Sequence, residues 1–325
     1  MKKGDNMIYA GIDLGGSTIK AALVNEKGEI LISRSIPTKA ERPYQEIAAD
    51  MADLVLDLIK DRGLELGDVH SVGIGSPGAI DPVNGEIIFA ANFADFHHVP
   101  MAALIRERID LPVYLENDAN VAALGEAMFG AGEGSKNSIL ITLGTGLGGG
   151  IIINGKIFSG YYMGGGELGH IVIKADGFQC TCGRKGCWEV YSAATALIRM
   201  GRERAQQHPE CRLNRLYDGD LTKLNAKDVF DAANGGDVFA IDAVEEYSHY
   251  LAIGIGNVIN IFQPEYVIIG GGPSAQGDKL LDPVKRQLKR EVFGGDTKTK
   301  VVIAKLGNSA GVIGAAMLGV INEND

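Results

Sequence analysis

Apolar residues first gather at 8–12 (Ile8-Tyr9-Ala10-Gly11-Ile12), resume at 19–24 and return at 29–33, with polar or glycine-rich turns at 13–18 and 25–28. Runs this short, bounded by turn residues, predict three successive strands, a meander whose first turn is Asp13-Leu14-Gly15-Gly16-Ser17-Thr18. After Pro43 the period lengthens: Ile47, Met51, Leu54, Val55 and Leu58 share one face of a helix. A buried strand at 72–75 ends in Ser76-Pro77-Gly78-Ala79, and another at 111–115 runs into Glu116-Asn117-Asp118-Ala119-Asn120 and a small-residue helix over 119–129. Helices are further predicted over 192–204, 225–234, 237–262 and 309–321, with strands at 266–269 and 301–304.

The opening outline recurs. Residues 138–142 form an apolar strand, 143–150 a glycine loop, 151–153 a second strand, and Asn154-Gly155 a hairpin turn, so that Asp13 aligns with Thr142 and Asn25 with Asn154. We read an internal duplication, one strand-loop-strand unit in each half. Two such loops, around Gly15-Gly16 and Gly144-Thr145-Gly146, suit the two sides of a polyphosphate, and Asp13 suits magnesium held through water. The alternative is a set of tight hairpins. The Gly-Lys-Ser/Thr ending of a P-loop is absent, and neither loop is the Gly-x-Gly-x-x-Gly that opens a dinucleotide fold, because each leads into a second strand and not into a helix.

Composition narrows the class. With 325 residues, 46% of them hydrophobic, the chain can bury two cores of ordinary size, so two domains are expected. The most apolar stretch, 251–262, is short and interrupted by glycine and asparagine, which argues against a membrane span. A net charge of -10 argues against a nucleic-acid partner, which needs a basic face. The 45 glycines cluster in turns that bring backbone amides near a ligand, and Gly270-Gly271-Gly272 leaves room for an adenine ring against backbone.

Chemistry concentrates at 167–189. Cys180, Cys182 and Cys187 with His170 supply three sulfurs and a nitrogen, the set of a closed, structural zinc site with no open position for substrate. Ordinary thiols or a disulfide are the alternatives; a start without a signal-peptide core leads us to expect the reducing cytoplasm and disfavours the disulfide. Cys211 lies among charged residues, without a metal partner. Glu167 and Glu189 bracket the metal stretch and are read as acceptors for ligand hydroxyls, or as solvated surface acids. Asp118, at a strand-to-helix junction, is an N-cap on the plain reading and a general base on the other. His97 and His98 are read as surface residues.

Taken together, Asp13-Leu-Gly-Gly-Ser-Thr-Ile-Lys20, Glu116-Asn-Asp118, Leu143-Gly-Thr-Gly146, Glu167-Leu-Gly-His170 and Cys180-x-Cys182-Gly-x-x-Gly-Cys187-x-Glu189 resemble the ROK family of sugar kinases and repressors over nearly the whole chain. The resemblance implies a two-domain α/β fold of the actin-like (ribonuclease H-like) ATPase type, with a cleft between domains and a zinc-bearing loop. The expected division is 1–118 with 309–325, and 119–308. It implies Mg-ATP as cofactor and phosphorylation of the 6-hydroxyl of glucose, with N-acetylmannosamine, mannose, fructose or allose as alternative acceptors; a non-catalytic sugar sensor is the rival of another class. It makes Asp118 the base, and Gly78, Asn92, Asn117, Glu167, His170 and Glu189 the sugar site. Asp13, Gly15, Gly16, Ser17, Thr18, Lys20, Gly144, Thr145, Gly146, Gly271 and Gly272 would hold the nucleotide. One nitrogen of His170 would bind zinc while the other reaches the sugar. The family usually has threonine at Ser17 and tryptophan at Phe96. Its repressors carry a helix-turn-helix ahead of the first strand, where this chain has about seven residues, so DNA binding is not expected. A homodimer is.

Overall fold

The computed structural model describes residues 7–322. The opening meander is β1 (Ile8–Leu14), β2 (Thr18–Asn25) and β3 (Ile30–Pro37), antiparallel throughout, with Asp13 opposite Lys20. After α1 (Tyr44–Asp61), β4 (Val69–Ser76) joins β1 in parallel. A small antiparallel sheet of β5 (Ala79–Asp81), β6 (Glu86–Phe89) and β7 (His97–Val99) follows, then α2 (Met101–Arg106). The strand β8 (Val113–Asn117) pairs in parallel with β4 and runs directly into α3 (Asp118–Phe129).

The second half begins with β9 (Ser138–Leu143), β10 (Leu147–Ile153) and β11 (Lys156–Ile157). Residues 171–188 hold only the isolated bridges Val172 to Cys187 and Gln179 to Lys185. Next come α4 (Glu189–Ser192), α5 (Ala194–Gln207), α6 (Ala226–Asn234) and the long α7 (Val238–Phe262). They are followed by β12 (Tyr266–Gly271), α8 (Asp278–Leu288), β13 (Lys300–Ile303), α9 (Ala310–Ala316) and α10 (Leu318–Asn322). The terminal helix predicted over 309–321 is thus two helices, parting at Met317. Among the described residues no helix is long and apolar enough to cross a membrane.

The duplication is visible in topology. One sheet has the order β3-β2-β1-β4-β8 and the other β11-β10-β9-β12-β13, so each strand of the first has a counterpart in the same place in the second. The two Asn-containing turns use the residue differently: Asn25 accepts the amides of Lys27 and Glu29 on its side-chain oxygen, whereas Asn154 adopts φ +54° ahead of Gly155.

The chain divides into two units. Among the described residues, the first comprises those up to Leu140, Gly150–Gly166 and those from Lys305; the second comprises Ile141–Gly149 and Glu167–Ala304. In the first, α3 and α9 touch backbone to backbone: a Cβ on Gly314 would overlap the carbonyl of Val121, so only glycine permits this approach. That packing is why α3 belongs with the N-terminal sheet. In the second unit Trp188, fully buried, lies against Gly254 and donates its indole N–H to Tyr250 O at 3.1 Å. One aromatic anchor thereby ties the irregular 171–188 segment to α7.

Candidate active site

In the first unit, the β1–β2 turn is closed by Gly15 N–H to Thr18 O at 3.0 Å and held from β3's end by Thr38, whose hydroxyl donates to Gly15 O at 2.6 Å. Ser17 and Thr18 are exposed on it, and Gly16 lies against Asn92. Asp13 leaves β1 half-buried. Burial raises its carboxyl above the usual range, the charge of Asp118 raises it further, and Lys20 opposes both. The Lys20 ammonium donates to Asn308 O at 2.9 Å and Ser309 Oγ at 3.3 Å, so it ties the meander to the segment ahead of α9.

The β8–α3 junction brings the other candidates of this unit together. Asn117 is the N-cap: its Oδ1 accepts the amides of Ala119 and Asn120, while its Nδ2 donates to Gly78 O at 3.2 Å. Gly78 can take φ +99°, and any side chain there would strike Phe89 O. The capping role open to Asp118 in the sequence therefore falls to its neighbour. Asp118 is the first helical residue, half-buried, with Oδ1 near the Ala119 amide at 2.8 Å. Burial pushes its carboxyl up despite those helix amides, which places it closer to the range of a working base.

In the second unit the β9–β10 loop is drawn tight by Gly144 N–H to Gly146 O at 2.9 Å. It is pinned from α5 by Ala194 N–H to Gly144 O at 2.9 Å and Thr195 Oγ1 to Thr145 O at 3.0 Å. A cavity of about 450 Å³ is lined by this loop together with Glu167, His170, Glu189, Gly271 and Gly272. A second, of about 270 Å³, shares Leu143, Gly144 and Gly272 and adds Asn225, Lys227, Phe230 and Gln276. Those last residues were not singled out in the sequence. Asn225 carried a signal, since it opens α6 with a capping box to Asp228.

Glu189 links two parts of the site. Its Oε2 accepts the Leu147 amide at the exit of the glycine loop at 3.1 Å, and its Oε1 lies 3.6 Å from Cys180 Sγ. Glu167 is exposed at the cavity rim and His170 half-buried.

The four metal-ligand candidates converge. One ligand atom from each of His170, Cys180, Cys182 and Cys187 lies within 4.8 Å of all the others. Cys182 and Cys187 sulfurs are 3.6 Å apart, and Cys180 Sγ is 3.7 Å from His170 Nδ1. Tetrahedral zinc with ligands at ~2.3 Å sets them roughly 3.7 Å apart, so the donor set fits zinc in number, type and spacing. Burial pushes the Cys187 thiol up to about 12, so a cation is what would keep it a thiolate. The nitrogen on the sulfur side is Nδ1, which leaves Nε2 for the cavity. Cys211 is not in this cluster: it is buried, with its thiol 3.8 Å from the Asp237 carboxylate that caps α7.

A family model described as "ROK family" matches residues 9–320. The chain is 41% identical over 322 residues to a glucokinase from Halalkalibacterium halodurans, covering 97% of this chain and 96% of that one. It is 38% identical over 315 residues to a glucokinase from Streptomyces coelicolor, covering 95% and 96%. The crystal structure of a ROK family glucokinase from Streptomyces griseus in complex with glucose and AMPPNP superposes with a TM-score of 0.76, at 38% identity over 96% of this chain and 98% of that chain.

Proposed function

This chain belongs to the ROK family, and from that premise we propose that it is an ATP-dependent glucokinase, transferring the γ-phosphoryl group of Mg-ATP to the 6-hydroxyl of glucose. Its architecture is the α/β actin-like ATPase fold of the ROK sugar kinases. The observation that carries the reading is the cavity of about 450 Å³ in the second unit, where a glycine loop suited to phosphate shares one space with Glu167, His170 and Glu189, acceptors suited to hydroxyls. Phosphate and polyol chemistry in one cavity is what phosphoryl transfer to a sugar requires.

In this mechanism Gly78, Asn92, Asn117, Glu167, Glu189 and His170 Nε2 bind and orient the sugar. Asp118 accepts the 6-hydroxyl proton as O6 bonds to the γ-phosphorus and the bond to the β,γ-bridging oxygen breaks, releasing ADP. A placed base contributes roughly 10²–10⁴-fold. Amides around Gly15, Gly16, Gly144, Thr145 and Gly146, with Ser17, Thr18 and Lys20, stabilise charge on the phosphates, while Gly271 and Gly272 lie along the adenosine. Asp13 would hold magnesium through water, and the ion would supply charge neutralisation at the phosphates. His170, Cys180, Cys182 and Cys187 would hold zinc as a structural brace. The reading places a homodimer in the cytoplasm, for which the family resemblance is the support; light scattering tests the dimer.

The test is ADP release from Mg-ATP with glucose, mannose, N-acetylmannosamine, fructose and allose in parallel. Release greatest with glucose is expected. Release with another sugar alone would overturn the substrate, and release with none would overturn the kinase.

A further inference from the structure

The first unit holds a cavity that the reaction above does not use. It measures about 360 Å³ and lies between the edge strand β8 (Tyr114, Leu115, Glu116), the β11 segment (Lys156, Ile157, Ser159) and α10 (Leu318, Ile321), with Val83 at its margin. Its volume is at the small end of ligand pockets, roughly 300–1,000 Å³, which suits a single ring.

The chemistry of its wall is specific. Glu116 is only 7% exposed. Its Oε1 accepts the Asn117 amide at 2.8 Å and Asn120 Nδ2 at 3.0 Å, and its Oε2 accepts the Ser159 hydroxyl at 3.3 Å. The carboxylate is thus fixed from behind by two donors, while Oε2, with one long hydrogen bond, keeps lone-pair capacity toward the cavity. Lys156 brings positive charge to the same wall. An anionic ligand would meet the Glu116 carboxylate, whereas a neutral hydroxyl donates to it. Ile157, Met163 and Leu318 supply apolar surface for the face of a ring. These are the requirements of a neutral monosaccharide.

We propose that this cavity is a second sugar site, which takes one neutral hexose on Glu116 and Ser159, separate from the sugar that is phosphorylated. The proposal rests on the reading of the chain as a hexose kinase. Glu116 also braces Asn117, the cap of α3, so the second sugar sits one residue behind the catalytic helix.

Equilibrium dialysis of the full-length protein against radiolabelled glucose tests it. Two molecules bound per chain are expected in the natural protein, and one in Val83→Trp, which fills the margin from a position 77% exposed and so leaves the core intact. Ile157→Trp, which fills the wall itself, is the second variant and gives the same loss of one. Phosphorylation at low glucose stays unchanged in Val83→Trp. One molecule bound in the natural protein up to a hundred times the first dissociation constant would overturn the second site alone. Two bound in the natural protein and in both variants would overturn its location. None bound would overturn the glucokinase reading with it.

Discussion

Gly146→Ala isolates the part Glu189 plays between the metal cluster and the glycine loop. A Cβ at residue 146 would overlap Glu189 Oε2 and come within 3.3 Å of its Cδ, so the carboxylate must move away from the Leu147 amide it now accepts. The lost bond has a charged acceptor, worth about 1.5–3 kcal/mol, and the Leu147 amide is left without its partner. The three other bonds of the loop, Gly144 to Gly146, Ala194 to Gly144 and Thr195 to Thr145, are not touched, so the fold persists. If the whole loss is felt at the loop, affinity for a non-hydrolysable ATP analogue, measured by calorimetry, falls about 10- to 150-fold. In a Glu189→Ala background the new methyl has nothing to displace, and the same substitution changes affinity by less than about twofold. Equal effects in both backgrounds would refute the strut, because the damage would then come from the methyl itself.

Further outcomes follow from the same geometry. Asp118→Asn lowers kcat by roughly 10²–10⁴-fold while glucose binding by calorimetry persists; a variant of natural turnover would remove Asp118 as the base. Burial raises the Asp118 pKa in the folded chain, so its ionisation opposes folding as pH rises through that value. Asp118→Asn therefore melts higher than the natural protein near neutral pH, and the gap closes below about pH 3.9, where the unfolded aspartate is also protonated. A gap that widened in acid would contradict the sign. Removing metal with a strong chelator lowers the melting temperature and shifts the emission of Trp188, the one tryptophan, which follows Cys187 directly; unchanged melting and emission would exclude a bound structural metal. Gly314→Ala forces α9 from the Val121 carbonyl and costs about 1–3 kcal/mol, read by denaturant titration; a neutral result would mean the two helices can part freely.

Much of this structure was legible because local chemistry and fold agree. The opening meander, its echo at 138–153 and the long α7 all show their period in the sequence, and Asn25 and Asn154 mark corresponding turns. The ligand spacing of 170, 180, 182 and 187 anticipated the cluster, because close sequence neighbours on glycine turns have few ways to avoid one another. What stayed hidden depends on contacts at long range. The segment of α8 has apolar residues at 280, 281, 284 and 288, yet Pro283 inside it argues against a helix; burial of that proline with these neighbours, on a helix packed against α7, outweighs the missing amide. The sheet of β5, β6 and β7 consists of strands of three or four residues, too short for a period to show. At the β8–α3 junction composition favoured aspartate as cap, and only the position of Gly78 O shows why asparagine, which both donates and accepts, stands there instead. The burial of Cys211 beside Asp237 was likewise invisible among its charged neighbours.

The central claim is transfer of the γ-phosphoryl group of ATP to the 6-hydroxyl of glucose, and identification of the product by ³¹P nuclear magnetic resonance tests it most directly. Incubation with Mg-ATP and glucose is predicted to give ADP and a single phosphate ester coupled to the two hydrogens on carbon 6, absent with Asp118→Asn. An ester at any other carbon, or inorganic phosphate without an ester, would contradict the account.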